Sequence, residues 1–210
     1  MAGGGDVEPR PAMPPLREPS RRKQWSEIMK RKLGIIAGLV TSATLIAFAI
    51  VLLSNDVPLN LASWIMWTVL NALLLGSMIQ AGNKEAYLAA GYTLGAGSIA
   101  LMLIAKGAWH WGFVESISTL GSLLAILVWW RVGPRGAVIA ATMTAVIAGI
   151  PTVYDAWLSP NPASWWLWTV TTVTGAVSVA TARSWTIEDR FFPVVSTAFQ
   201  GLMAILVLRG

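Results

Sequence analysis

Trp64, Trp67 with Thr68, and Asn71 fall at i, i+3/i+4 and i+7, which on a helix is one face. The same spacing returns near residue 165 as Trp165, Trp168 with Thr169, and Thr172. Indole rings offer flat apolar surface with one donor each, and an amide offers a donor and an acceptor together. That chemistry grips a solute and makes or breaks no bond. The recurrence is literal: "NLASWIMWTV" at 60–69 and "NPASWWLWTV" at 161–170 agree at seven of ten positions across a spacing of 101 residues.

Bond-making chemistry has little to work with. One histidine and no cysteine leave no ordinary nitrogen and sulfur ligand set for a metal, and neither an HExxH nor a GxSxG motif occurs. The reading is therefore not an enzyme, with no catalytic residue, no metal and no cofactor. His110 reads as a loop residue, and Asp56, Glu115 and Asp155 as acids at helix ends. Gln200 is the other deeply placed amide and joins Trp64, Trp67, Asn71, Trp165, Trp168, Thr169 and Thr172 as a candidate binding residue. Tryptophan also collects at membrane interfaces, so a lipid-facing belt competes with a pocket for each indole.

The elements that hold these residues must cross a bilayer. The chain is 55% hydrophobic and 12% charged, whereas soluble domains carry about 25% charged residues. Seven stretches approach spanning length: Leu33–Leu53, Ala62–Gln80, Ala86–Ala105, Phe113–Trp130, Gly136–Thr152, Ala163–Thr181 and Phe191–Leu208. Residues 1–32, rich in Pro, Gly and charge, read as a basic tail, of which 20–32 could lie as an amphipathic helix on the headgroups. Thirteen of the fifteen Lys and Arg fall on the tail side of this alternation. The tail is then cytoplasmic and the C-terminus outside, in what is expected to be a plasma (inner) membrane. The basic pI reports topology, so the expected partners are the lipid bilayer and a small polar solute, nucleic acid is not among them, and a homo-oligomer stays open.

The repeat extends beyond the doubled phrase, since Thr93 and Gly97 answer to Thr197 and Gly201. The expectation is an all-α membrane protein of seven transmembrane helices in a 3+1+3 order. Two parallel three-helix repeats, 33–105 and 136–210, flank a linker helix with its loops at 106–135, and a solute site lies between the repeats. The segment "IPTVYDAWLSPNPASWWLWTVTTVTG" at 150–175 resembles a PQ-loop repeat through Pro151, Tyr154, Ser164 and Gly175. The 3+1+3 order is similar to that of the SWEET and PnuC transporters, whose half-sized relatives are the SemiSWEETs. Thr152 stands where that family carries Gln, and Ile50 stands where the first repeat would match Pro151. The resemblance implies a small-solute facilitator with Pro151 as a hinge. A non-transporting receptor or assembly protein on the same fold is the second reading.

The charge pattern sets a first test. A reporter active only outside the cytoplasm is expected to score at Gly210 and in 156–161 and to stay silent in 131–135. Activity at 131–135 would reverse the orientation.

Overall fold

The computed structural model describes residues 21–55, 59–80, 83, 86–108, 111–182 and 184–209. Asp56, Trp109, His110 and the tail before residue 21 lie outside them. The described residues are mostly helical and include no strand. Seven α-helices follow in order: α1 Arg21–Ser54, α2 Leu61–Gln80, α3 Tyr87–Ala105, α4 Phe113–Ala148, α5 Ile150–Leu158, α6 Trp165–Thr181 and α7 Ile187–Leu208. Among the described residues five segments are long and apolar enough to cross a membrane: Gln24–Ser54, Leu61–Gln80, Tyr87–Ala105, Gly136–Leu158 and Asp189–Leu208. The two remaining expected spans correspond to the 17-residue α6 and to α4 before Gly133.

Three boundaries differ from the sequence reading. Residues 21–32, expected as tail, are the first turns of α1. No Pro or Gly interrupts 20–33, and Glu27 pairs with Lys30 at 3.3 Å, so the span propagates backwards into them. The expected loop at 131–135 is a break inside α4, where Gly133 takes φ 74°, a conformation that suits glycine. The fifth expected span, Gly136–Thr152, runs instead to Leu158 and comprises the end of α4 and, after Gly149, the whole of α5. Pro151 sits in the first turn of α5, where a missing N–H costs a helix least.

The packing order of the two halves matches. α3 packs against both α1 and α2, and α7 packs against both α6 and the α4–α5 pair. Across the halves α1 meets α6, and α2 meets α4. Thr41 and Thr174 share a buried hydroxyl bond of 2.7 Å at the first of these crossings. Gly97 faces the Thr68 methyl at the α2–α3 contact, as Gly201 faces the Thr172 methyl at the α6–α7 contact.

α1 and α3 approach through glycine. A Cβ on Gly91 would overlap the Gly38 carbonyl, one on Gly38 the Tyr87 carbonyl, and one on Gly95 the Leu45 side chain. Between helices in lipid, such backbone contact supplies attraction that the hydrophobic effect does not. Lys106 closes the unit by donating to the Leu52 carbonyl at 2.8 Å and the Asn55 carbonyl at 3.2 Å, at the end of α1. Outward, the early part of α4 exposes Phe113, Ile117, Leu120, Leu124, Leu127 and Trp130, an apolar stripe suited to acyl chains.

Gly91→Ala is expected to destabilise the protein by about 1–3 kcal/mol in detergent unfolding, the usual cost of overpacking. Gly76→Ala, whose Cβ would meet nothing within 4 Å, is the control and is expected to be neutral or stabilising.

Candidate functional site

The doubled asparagines are helix caps. Asn60 Oδ1 accepts the Ser63 amide at 3.1 Å, and Asn161 Oδ1 accepts the Ala163 amide at 3.0 Å. Each thereby satisfies a donor that the first turn of a helix leaves free. Asn60 also donates to Glu115 Oε1 at 2.6 Å, while Glu115 Oε2 accepts the Gly112 amide at 2.8 Å, which ties the start of α2 to the start of α4.

The next positions of the phrase behave differently in the two copies. In the first, Ser63 Oγ donates to the Ala148 carbonyl and Trp67 Nε1 to the Ala145 carbonyl, both at 2.8 Å. The Ala148 carbonyl lies beside the α4–α5 junction, and the Ala145 carbonyl is shared, since it also accepts the Gly149 amide at 3.1 Å. In the second, Ser164 Oγ bonds the Asn161 carbonyl at 3.1 Å, and Trp168 Nε1 reaches back to Ser164 Oγ at 3.3 Å. The neighbouring helix there is α1, which runs unbroken past Ile50 and keeps its carbonyls in its own ladder.

Below the phrase lies a cavity of about 60 Å³ walled by both halves: Trp64, Trp67 and Asn71 of α2, Tyr92 of α3, Thr142 of α4, Trp168 and Thr171 of α6, and Ser196, Phe199 and Gln200 of α7. Trp67 stands edge-on to Trp64 at 5.1 Å, to Phe199 at 5.7 Å and to Trp168 at 6.5 Å between ring centres. Three buried polar atoms on this wall have no hydrogen-bond partner: Trp64 Nε1, Asn71 Oδ1 and the Tyr92 hydroxyl. The Asn71 amide nitrogen donates to the Trp67 carbonyl of its own helix at 2.8 Å, which leaves its oxygen to the cavity. Ser196, Gln200 and Thr171 surround the Tyr92 hydroxyl. No charged side chain is among the lining residues.

Trp64, Trp67, Asn71, Trp168 and Gln200 thus come together on one cavity, and Thr171 Oγ1 donates to Gln200 Oε1 at 3.2 Å across α6–α7. Trp165, Thr169 and Thr172 are not on it. Trp165 is 49% exposed, and the Thr172 hydroxyl is turned back to the Trp168 carbonyl at 2.7 Å. The reason is rotational: α2 turns positions 64, 67 and 71 inward, whereas α6 turns 167, 168 and 171 inward, most of a 100° residue step away. Pro151 is buried beside the break and off this wall.

Tyr92, Thr171, Ser196 and Phe199 are wall residues that the sequence reading did not name. Ser196, Phe199 and Gln200 follow i, i+3, i+4 spacing, and Tyr92 is a lone hydroxyl within an apolar span, so a signal for these was present. Thr171 follows only from the rotation of α6.

Two further cavities lie toward the bundle ends. One of about 320 Å³, at the end bearing the starts of α2 and α6, is lined by Asn60, Thr152, Asp155, Asn161, Ser164 and Trp168 among others. Thr152 Oγ1 there is buried without a partner. The other, of about 40 Å³, lies at the opposite end among Lys30, Asn83, Tyr87, Thr181, Asp189 and Phe192. Among the described residues no three His, Cys, Asp or Glu side chains gather as a metal site would need. Comparison with protein-family models, with characterised proteins and with solved structures finds no match to this chain.

The unlike bonding of the two copies is expected to show in stability. Ser63→Ala and Trp67→Phe should each cost about 1 kcal/mol in thermal unfolding, the net value of one hydrogen bond. Trp168→Phe, which loses only a long bond inside its own turn, should cost less.

Proposed function

We propose that this chain is a transporter or facilitator for a small, uncharged, hydrogen-bonding solute, held in the central cavity between two parallel three-helix units in a 3+1+3 bundle of seven spans. The observation that carries the reading is the set of three unpartnered buried atoms on one wall. An unmade buried hydrogen bond costs about 1–3 kcal/mol, so a donor, an acceptor and a hydroxyl left open together represent several kcal/mol that an occupant can recover. Trp64 Nε1 would donate to the solute, Asn71 Oδ1 would accept from it, and the Tyr92 hydroxyl can do either. The indoles of Trp67 and Trp168 and the ring of Phe199 would cover its apolar faces.

The absence of charge from the wall favours a neutral solute, because an ion there would be desolvated without a counter-charge. At about 60 Å³ the cavity holds a few waters, so a solute enters only when the bundle opens, as a carrier requires. The matched packing orders α1–α3–α2 and (α4–α5)–α7–α6 support the parallel-unit arrangement. The PQ-loop resemblance at 150–175 agrees with it. The excess of Lys and Arg on one side supports a cytoplasmic N-terminus and an outward C-terminus in a plasma membrane.

The test is a thermal-shift screen of neutral hydrogen-bonding solutes on purified protein, followed by uptake into liposomes. A hit is expected to drive flux, and Asn71→Leu is expected to abolish both shift and flux while leaving the unliganded melting temperature close to that of the parent. Saturable binding without flux would favour a receptor on this fold, and a shift that survives Asn71→Leu would remove the cavity from the reading.

A further inference from the structure

The three cavities share walls in a particular way. Trp168 lines both the 320 Å³ cavity and the central one, and Phe192 lines both the central cavity and the one among Lys30, Asn83 and Asp189. Each is the single residue common to its pair. The order along the bundle is then end cavity, Trp168, central cavity, Phe192, end cavity. Both rings are closed to solvent, at 3% and 4% exposure.

We propose that these cavities are stations on one solute path through the bundle, closed at one end by the Trp168 indole and at the other by the Phe192 ring. The proposal rests on the transport reading for its purpose and not for its geometry. Trp168 is the looser of the two central indoles that match across the repeat. Trp67 Nε1 is fixed at 2.8 Å on a carbonyl of another helix, whereas Trp168 Nε1 makes one bond of 3.3 Å to Ser164 in its own first turn. Swinging Trp168 therefore breaks one weak bond and no contact that holds helices together by hydrogen bonding. Ser164 also lines the end cavity, so the group that lets go of the indole already faces an arriving solute.

Phe192 has no polar tie. It stands edge-on to Tyr92 at 6.1 Å between ring centres, and Tyr92 bears one of the unpartnered hydroxyls. It immediately precedes Pro193, which lies inside α7 and withdraws the amide that would bond the carbonyl four residues back. Trp168 also has a proline close by, since the end cavity it closes is lined by Thr152, the residue after Pro151. Both closing residues, and the prolines near them, belong to the second unit. The first unit contributes the fixed wall of Trp64, Trp67, Asn71 and Tyr92.

The chain contains no cysteine, so Ser196→Cys on the central wall creates a sole thiol. Its reaction with a charged, membrane-impermeant thiol reagent is to be followed in right-side-out and inside-out vesicles. The Ser196→Cys protein should label slowly from both faces. Adding Trp168→Ala is expected to raise the rate about tenfold or more from one face only, and adding Phe192→Ala to do so from the opposite face only, as follows when a minor open state of at most about 10% becomes dominant. Trp168→Leu and Phe192→Leu, which keep apolar bulk, should show the same sidedness should either alanine variant fail to assemble. Acceleration from both faces by one substitution, from the same face by both, or by neither in well-folded protein would overturn the proposal. No substrate enters this experiment, so opposite-sided labelling without flux sinks the transport reading alone, and flux without sidedness sinks the path alone.

Discussion

A helix broken inside a bilayer must find partners for the backbone groups it releases, because no water reaches them. At the α4–α5 junction that demand is met partly by the helix itself, since the Gly149 amide bonds the Ala145 carbonyl at 3.1 Å and the Val153 amide the Gly149 carbonyl at 3.0 Å, and partly through α2. Ser63 and Trp67 carry their donors to the carbonyls of Ala148 and Ala145, and in doing so fix the start of α2 against the second half of the chain. The position of Trp67 in turn sets the rings packed around it, Trp64, Trp168 and Phe199. The central cavity is what remains between them. Its aromatic wall is therefore a product of backbone accounting at a proline-marked break as much as of any requirement to bind.

The same constraint explains why a repeated phrase yields unlike surroundings. Both copies cap a helix with asparagine, a local act that depends only on the first turn. The serine and the second tryptophan act at longer range and depend on what the facing helix offers. Opposite the first copy is the α4–α5 junction, whose Ala148 and Ala145 carbonyls accept the added donors, and opposite the second is the unbroken α1. Gly149 and Pro151 stand where the first unit has Phe48 and Ile50, which separates the two situations. The rotation of α6 that turns Trp165 outward and Thr171 inward accompanies this difference.

The parts of the architecture legible in the sequence were those written in composition and in spacing. Apolar runs located the helices, and the i, i+3, i+7 face of α2 located Trp64, Trp67 and Asn71, because an unbroken helix keeps its own register. Carrying that face across the repeat to Trp165, Thr169 and Thr172 assumed that equal sequence implies equal rotation. Rotation is set by the partner surface, which the repeated letters do not contain. The division of 136–158 near Gly149 was likewise outside the reach of an apolar count, since both sides of it are equally oily, whereas the break at Gly133 falls inside the loop expected at 131–135. Residues 21–32 read as tail on charge, whereas continuity with a stable span decides whether they coil.

Lys106 and the pair Ser63–Trp67 have opposite implications for assembly during synthesis. Lys106 bonds the end of α1 from a position just past α3, so the glycine-packed α1–α3 pair has the Leu52 and Asn55 carbonyls capped once about the first half of the chain has been made. The donors of Ser63 and Trp67 must wait longer, for the carbonyls of Ala148 and Ala145, which follow them by 85 and 78 residues. During that interval α2 carries unmatched polar groups in or near the membrane, held only by α3. A nascent chain halted between residues 106 and 145 thus presents an aromatic, hydrogen-bond-hungry helix face to whatever membrane component is nearest, and insertion factors that shield such faces would act on this chain at that stage.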